Sequence, residues 1–437
     1  MESARGAVRW QRNIAFFLTG QAVSLIGSSL VGYAIMWYVI LKTGSGTMMT
    51  AFTVAIMLPM FFISPFGGVW ADRFNRKNLI NIADGFIAAV TLVIAVSFAF
   101  GNENLWFLLL CSVARSFGQG VQMPAVSALI PQVVPSESLM RVNGINMMIQ
   151  SVSMLGTPAL AGAILSFFPI QSILFIDVVT ATFSILILII FVRVPNPGSK
   201  VTGSRAVAGA DDQTDADGAA VSAAPEKRPM LADLKEGVRY IAGHAFLKRF
   251  FIIQACFVFL LAPAALLTPL QVTRNFGADV WRLSVIEIAF SAGMAAGGLL
   301  MTTWGGFKNR TYTIAASFLL MGAMSVGLGV TRVFVVYCVF MAFVGITAAS
   351  GNTPVMTILQ QKIEPAYMGR VFSVMTMISS IGMPLGMVVF GPLSDRVSLD
   401  AIIIVTGACT AAIGVYLFID KVLIEAGRPE VEKSGTL

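Results

Sequence analysis

Long, almost uncharged apolar runs recur along the whole chain, and no other feature restricts its fold so tightly. Twelve can be read, near residues 13–40, 47–70, 79–100, 105–127, 143–168, 171–192, 250–271, 283–303, 312–331, 333–356, 371–393 and 399–420. A helix that crosses a bilayer needs about 20 such residues. Only 12% of the 437 residues are charged and 57% are hydrophobic, whereas soluble domains carry roughly a quarter charged residues. A water-soluble fold is excluded. The predicted class is an all-α membrane protein with twelve transmembrane helices.

The net charge of +7 would suit a nucleic-acid partner, but its placement argues against one. Of 29 Lys and Arg residues, Lys42, Arg274, Arg282, Arg332 and Arg396 fall on one side of the predicted membrane, and Arg115 falls inside a run. The others lie on the side of the N-terminus. By the positive-inside rule this predicts both termini in the cytosol. The first run follows Arg5, Arg9 and Arg12 as a signal peptide would. It is too long for a signal h-region and lacks a clear cleavage site, so a retained helix is expected. The cysteines (Cys111, Cys256, Cys338, Cys409) lie within runs and read as small apolar side chains, giving neither a disulfide framework nor a metal site. His244 has no second His or Cys nearby and reads as a solvated or capping residue.

Residues 195–229 are rich in Pro, Gly, Ser, Ala and Asp and read as a disordered cytosolic linker. The expected organisation is an N-terminal six-helix bundle over 1–194, this linker, an amphipathic helix over 230–248, a C-terminal six-helix bundle over 249–422 and a tail over 423–437. The amphipathic helix spaces Leu231, Leu234, Val238 and Ile241 helically, which fits either the membrane surface or packing against cytosolic loops. The halves share a repeat: Gly67, Gly68, Pro124 and Pro135 recur at a constant offset as Gly297, Gly298, Pro354 and Pro365. Asp72 and Arg115 correspond to Thr302 and Gly345, so both charges belong to the first copy alone.

Between the second and third runs the chain reads G-G-V-W-A-D-R-F-N-R-K, from Gly67 to Lys77. In Gly68, Asp72, Arg73, Arg76 and Lys77 this resembles the loop signature of major facilitator superfamily transporters. Trp70 departs from the usual Leu, and Asn75 from a Gly; the latter exchange is expected to be mild because Asn tolerates left-handed backbone. A basic turn of this kind also follows from topology alone.

Further stretches are similar to the macrolide-efflux branch of that superfamily: Gly20 to Leu25, Arg115 to Gly118 with Pro124, Ile286 to Phe290 with Gly293, and Gly369 to Ser373. The resemblance implies two six-helix pseudo-repeat bundles that rock about a central path. Its helix-5 antiporter signature is degenerate here, reduced to Gly156, Pro158 and a lone Gly162. Gly156 and Pro158, with Gly382 and Pro384, are candidate hinges; close helix packing and a kink would explain such residues equally well.

A charge near mid-bilayer costs at least about 2.5–3.5 kcal/mol, so each one needs a reason. Arg115 resembles the family's helix-4 arginine, implicated in proton transfer; the alternative is a structural cation held by an acid or carbonyls. Asp84 could pair with Arg115 or join the Asp72 network, and a structural or gating role is favoured. Asp177 is either a proton site or an interfacial capping acid, and Glu287 is the first choice for proton coupling. Gln21, Asn146, Gln150, Gln254 and Asn352, with Phe257 and Phe290, are candidate cavity contacts, although each alone reads equally as packing.

The expectation is a secondary active exporter of small amphiphiles, drug- or macrolide-like, coupled to protons by alternating access in a bacterial cytoplasmic membrane. It should act as a monomer without a cofactor and without nucleic acid. Asp72 is expected to latch the cytosolic side by capping the helix that begins near Met368 to Arg370. Alternatives are a siderophore or metabolite exporter, a proton-coupled importer, and a receptor or scaffold that moves nothing. No nucleotide loop, metal-ligand cluster or nucleophile–base pair supports an enzyme.

Overall fold

A computed structural model describes residues 2–192, 230–364 and 367–428. The expected linker 195–229, most of the tail and Pro365 lie outside them. Every long element is a helix, as lipid demands of segments that must satisfy their own backbone hydrogen bonds. The first group comprises α1 (Glu2–Thr43), α2 (Gly46–Arg73), α3 (Arg76–Ala99), α4 (Leu105–Val133), α5 (Leu139–Phe167) and α6 (Ile170–Phe191). The second comprises α7 (Met230–Gly243), α8 (Ala245–Leu266), α9 (Thr268–Phe276), α10 (Val280–Trp304), α11 (Arg310–Val330), α12 (Phe334–Lys362), α13 (Met368–Ser394), α14 (Leu399–Ile419) and α15 (Lys421–Ala426).

Among the described residues, eleven helical stretches are long and apolar enough to cross a membrane, with α8 and α9 joined as one. The apolar runs predict twelve. The helix that falls short is α4, which has the length, 29 residues, but carries Arg115, Gln119 and Gln122 in its middle. The α8–α9 break at Leu267 has no counterpart in the apolar pattern. Pro269 stands in the first turn of α9, where its missing N–H leaves no bond unmade.

The two groups are built alike. In the first, α2 packs on α4 and α1 on α6; in the second, α10 packs on α12 and α8 on α14. Gly67 and Gly297 play the same part in each copy. A Cβ on Gly67 would sit 2.6 Å from the Gly120 carbonyl of α4, and one on Gly297 would strike the Ile346 carbonyl of α12. The groups meet through α2 against α13 and α5 against α10, which the repeat also relates. Trp37 and Tyr337, each about 1% exposed or less, anchor the cores.

We call the face where α1 begins proximal and the opposite face distal. On the proximal face Asn75 is not left-handed: at φ −63° it is the N-cap of α3, its side chain accepting the Lys77 and Asn78 N–H groups. An Asx cap does here what a flexible glycine would do in a looser turn. The amphipathic helix ends at Gly243, earlier than expected, because His244 starts a new helix as the N-cap residue of α8. It packs on the start of α13. Glu236 pairs with Arg370 at 3.0 Å, and Tyr240 stacks on Tyr367 with ring centroids 4.3 Å apart. Ile241 is buried while Val238 is exposed.

Candidate functional site

A cavity of about 410 Å³ opens within the first group, walled by α1, α3, α4 and α5. Its polar residues arise from simple helical spacing. Gln21, Ser24 and Ser28 on α1, Gln119 and Gln122 on α4, and Asn146, Gln150 and Ser153 on α5 each recur at three or four residues, so each helix turns one polar stripe inward. Ile87, Met123, Ile149 and Met154 fill the gaps between them. The Gln122 amide donates to Gln21 Oε1 at 3.1 Å, tying α4 to α1 across the wall.

Asp84 stands in this wall at 3% exposure, and its Oδ2 has no hydrogen-bond partner. It pairs neither with Arg115 nor with Asp72. Arg115 is instead committed to Asp177, with Nη1 to Oδ2 at 2.9 Å. The Thr91 hydroxyl donates to the same oxygen at 3.0 Å and also accepts from Arg115, while Ser28 donates to Asp177 Oδ1 at 3.2 Å. Asp177 is fully buried and Arg115 nearly so, which places Asp177 inside the bundle and not at an interface. One ion pair thus joins α1, α3, α4 and α6. Glu287 on α10 is half-buried. Tyr33 lines the cavity.

Of the cavity residues expected from sequence, Gln21, Asn146 and Gln150 lie on this wall; Gln254, Phe257, Phe290 and Asn352 do not. Phe257 stacks on Phe318 at 3.9 Å inside the second group, and Gln254 borders a small closed apolar pocket. Asn352 is exposed and Phe290 half-buried elsewhere. Ser24, Ser28, Tyr33, Gln119, Gln122 and Ser153 are additions that the candidate set lacks; the three-to-four-residue polar spacing is the signal that finds most of them. Of the hinge candidates, Pro158 and Pro384 are buried inside α5 and α13. A Cβ on Gly382 would meet Val258 at 2.8 Å, while one on Gly156 would meet nothing.

On the proximal face, Arg76 donates to the Ala71 and Ala128 carbonyls at 3.0 Å, and Lys77 to the Ile189 and Val192 carbonyls at 3.0 and 2.7 Å. The Ala71, Ile189 and Val192 carbonyls are ones that helix ends leave open, while Ala128 lies inside α4. Asp72 is largely exposed and pairs with Arg76 at 3.7 Å. Arg73 is exposed as well, and Gly68 is half-buried. Asp72 does not reach the start of α13, where Arg370 holds Glu236.

The distal face is closed. Asp395, just past α13, accepts the Gly46 and Thr47 N–H groups at 2.7 and 2.9 Å and the Ser45 and Thr47 hydroxyls at 2.8 and 2.7 Å. Arg274 bridges Asp395 Oδ1 at 2.9 Å and the Gly44 carbonyl at 2.7 Å. Burial alone would raise the Asp395 carboxyl, but the bonds from Thr47, Gly46 and Ser45 outweigh it and hold it well below the usual carboxylate range. Beside it, Thr50 donates to the Met387 carbonyl at 2.9 Å. On the other seam Gly162 lies so close to Ser284 that a Cβ would overlap it.

The sequence model of the Major Facilitator Superfamily matches residues 17–387. The chain is 28% identical over 408 residues to Macrolide efflux protein A of Streptococcus pyogenes, covering 93% of this chain and 95% of that protein. It is 24% identical to Multidrug efflux pump Tap of Mycobacterium bovis, covering 94% of each. A bacterial homolog of the human lysosomal transporter Spinster, solved inward-facing and unoccupied, superposes with a TM-score of 0.65 at 14% identity over 96% of this chain and 97% of that one.

Proposed function

The chain belongs to the major facilitator superfamily, and we propose that it is a proton-coupled exporter of amphiphilic, drug- or macrolide-like molecules working by alternating access. It is a transporter and not an enzyme. The observation that carries the reading is the pairing of a walled cavity with a sealed distal face. The cavity is bounded by the first group alone, while Asp395 and Thr50 hold α2 against α13 beyond it. This is one of the two states that alternating access requires. The efflux named for the relatives supports the direction of transport.

The bias of Lys and Arg toward the proximal face supports reading that face as the cytosolic one of a bacterial cytoplasmic membrane, with both termini inside. The structure then corresponds to the inward-open state. In the outward-open state Asp72 would leave Arg76 and cap the N-terminus of α13, whose positive end stabilises a carboxylate by about 0.3–1 kcal/mol. Proton coupling falls first to Glu287, a half-buried acid on α10, the helix that meets α5 between the halves. Asp84 is a second candidate, its buried Oδ2 without a hydrogen-bond partner, whereas Arg115 and Asp177 neutralise each other. The working unit is a monomer, and the boundaries 1–194, 195–229, 230–248, 249–422 and 423–437 are kept as its organisation, with the first bundle helix of the second half starting at Ala245.

Inverted membrane vesicles test the proposal. Acidifying their lumen should drive uptake of a radiolabelled macrolide, and a protonophore should abolish it. Uptake indifferent to the proton gradient would overturn the coupling, and flux in the opposite direction would make the protein an importer.

A further inference from the structure

Asp84 is a carboxylate set in a wall that offers it no positive charge. Among the described residues lining the cavity there is no Lys, Arg or His. The nearest buried cation, Arg115, is already neutralised by Asp177 and Thr91. Dipoles are present in Gln21, Gln119 and Gln122, yet Asp84 Oδ2 remains without a partner. A buried carboxylate left in this condition is destabilising until a proton or a cation neutralises it, and a cationic ligand favours the charged form. The rest of the wall, including Leu25, Ile87 and Met123, is apolar and suits a hydrophobic body.

We propose that Asp84 is the specificity-determining residue of this cavity, selecting amphiphiles that carry a positive charge over neutral molecules of the same shape. The inference rests on reading the cavity as the substrate site of a transporter, and it names the class of substrate. A cation gains the direct attraction of a charge in surroundings of low dielectric. A neutral isostere gains the same apolar burial but leaves the carboxylate unpaired, and an anion is repelled. The discrimination is by charge, and the apolar body is free to vary.

The test compares two near-isosteric probes, methyltriphenylphosphonium and triphenylphosphine oxide, in equilibrium binding to the detergent-purified full-length protein. The wild type should bind the phosphonium at least about tenfold more tightly than the oxide. Asp84→Asn should erase that preference while leaving the oxide within about twofold, and Asp84→Glu should retain it. Wild-type protein with no preference overturns the proposal without any variant being needed, and so does Asp84→Asn with an intact preference. Oxide binding to Asp84→Asn reports that the cavity is folded. A protein that binds the phosphonium through Asp84 but moves nothing in vesicles would sink the exporter reading and leave this one standing. An active exporter whose Asp84→Asn variant keeps its charge preference would do the reverse.

Discussion

Asp395 accepts the backbone N–H of Gly46 at 2.7 Å, so the residue that ends α13 caps the start of α2 across the seam between the two halves. The contact mirrors the one expected of Asp72 at the other face. There an acid at the end of α2 would cap the start of α13; here an acid at the end of α13 caps the start of α2. Gly46 makes the approach possible, because a side chain there would strike Ser394 and the Gly391 carbonyl. On the proposed mechanism, alternation would exchange one interhelical cap for the other.

Asp395→Ala should loosen the distal seal. Losing a cap of this kind removes about 0.5–2 kcal/mol, and the pair with Arg274 is lost with it. Spin labels at Asn102 and Val333, both exposed on the distal face, should report a larger fraction of long distances in double electron–electron resonance. An unchanged distribution would show that the cap does not hold the face shut.

The same carboxylate fixes a pH dependence. Its affinity for protons is depressed in the closed state, so the stabilisation it supplies is complete above the ordinary carboxylate range. It is lost only as pH falls through that range and toward the depressed value. The distal distances should therefore be flat from about pH 6 to 8 as far as Asp395 is concerned. An acid-induced opening that disappears in Asp395→Asn identifies this group, whereas one that persists belongs to another acid.

Asp72→Asn should leave the thermal stability of the distal-closed form within about 0.5 kcal/mol, because its pair with Arg76 is long and solvent-exposed. It should nevertheless slow transport and deplete the state in which the distal face is open. Equal turnover and equal populations in proteoliposomes would remove the latch from the mechanism.

Arg115→Leu alone should destabilise the protein by about 3–5 kcal/mol, since it strands a fully buried carboxylate. The double variant Arg115→Leu with Asp177→Leu should recover most of that loss. Thermal unfolding in detergent reads both. A double variant no more stable than the single one would show that the charges are not a closed pair.

Local chemistry makes much of the fold legible. A run of apolar residues in lipid has to become a helix, so the spans follow from composition along the chain. The repeat is legible too, since Gly67 and Gly297 each admit a neighbouring backbone in the same way. The site is legible only in part. Gln21, Asn146 and Gln150, each in a polar stripe of helical spacing, reach the cavity wall while Gln254 and Phe257 do not, because a lone polar or aromatic residue in a span carries no mark of which way it faces. The exchange of Gly for Asn75 is mild for a reason that only the fold shows: its φ is set by the cap it makes.

Membrane class, helices and duplication are contained in the one-dimensional chain, since each follows from composition or from spacing, and the family is legible there through the likeness of its motifs to those of known transporters. The pairing of Arg115 with Asp177 and not with Asp84 is not contained there, nor is the sealing of the distal face by Asp395 and Thr50. Those contacts join residues 62, 349 and 337 positions apart. They depend on how each helix is rotated and which helices are neighbours, and no local pattern encodes either.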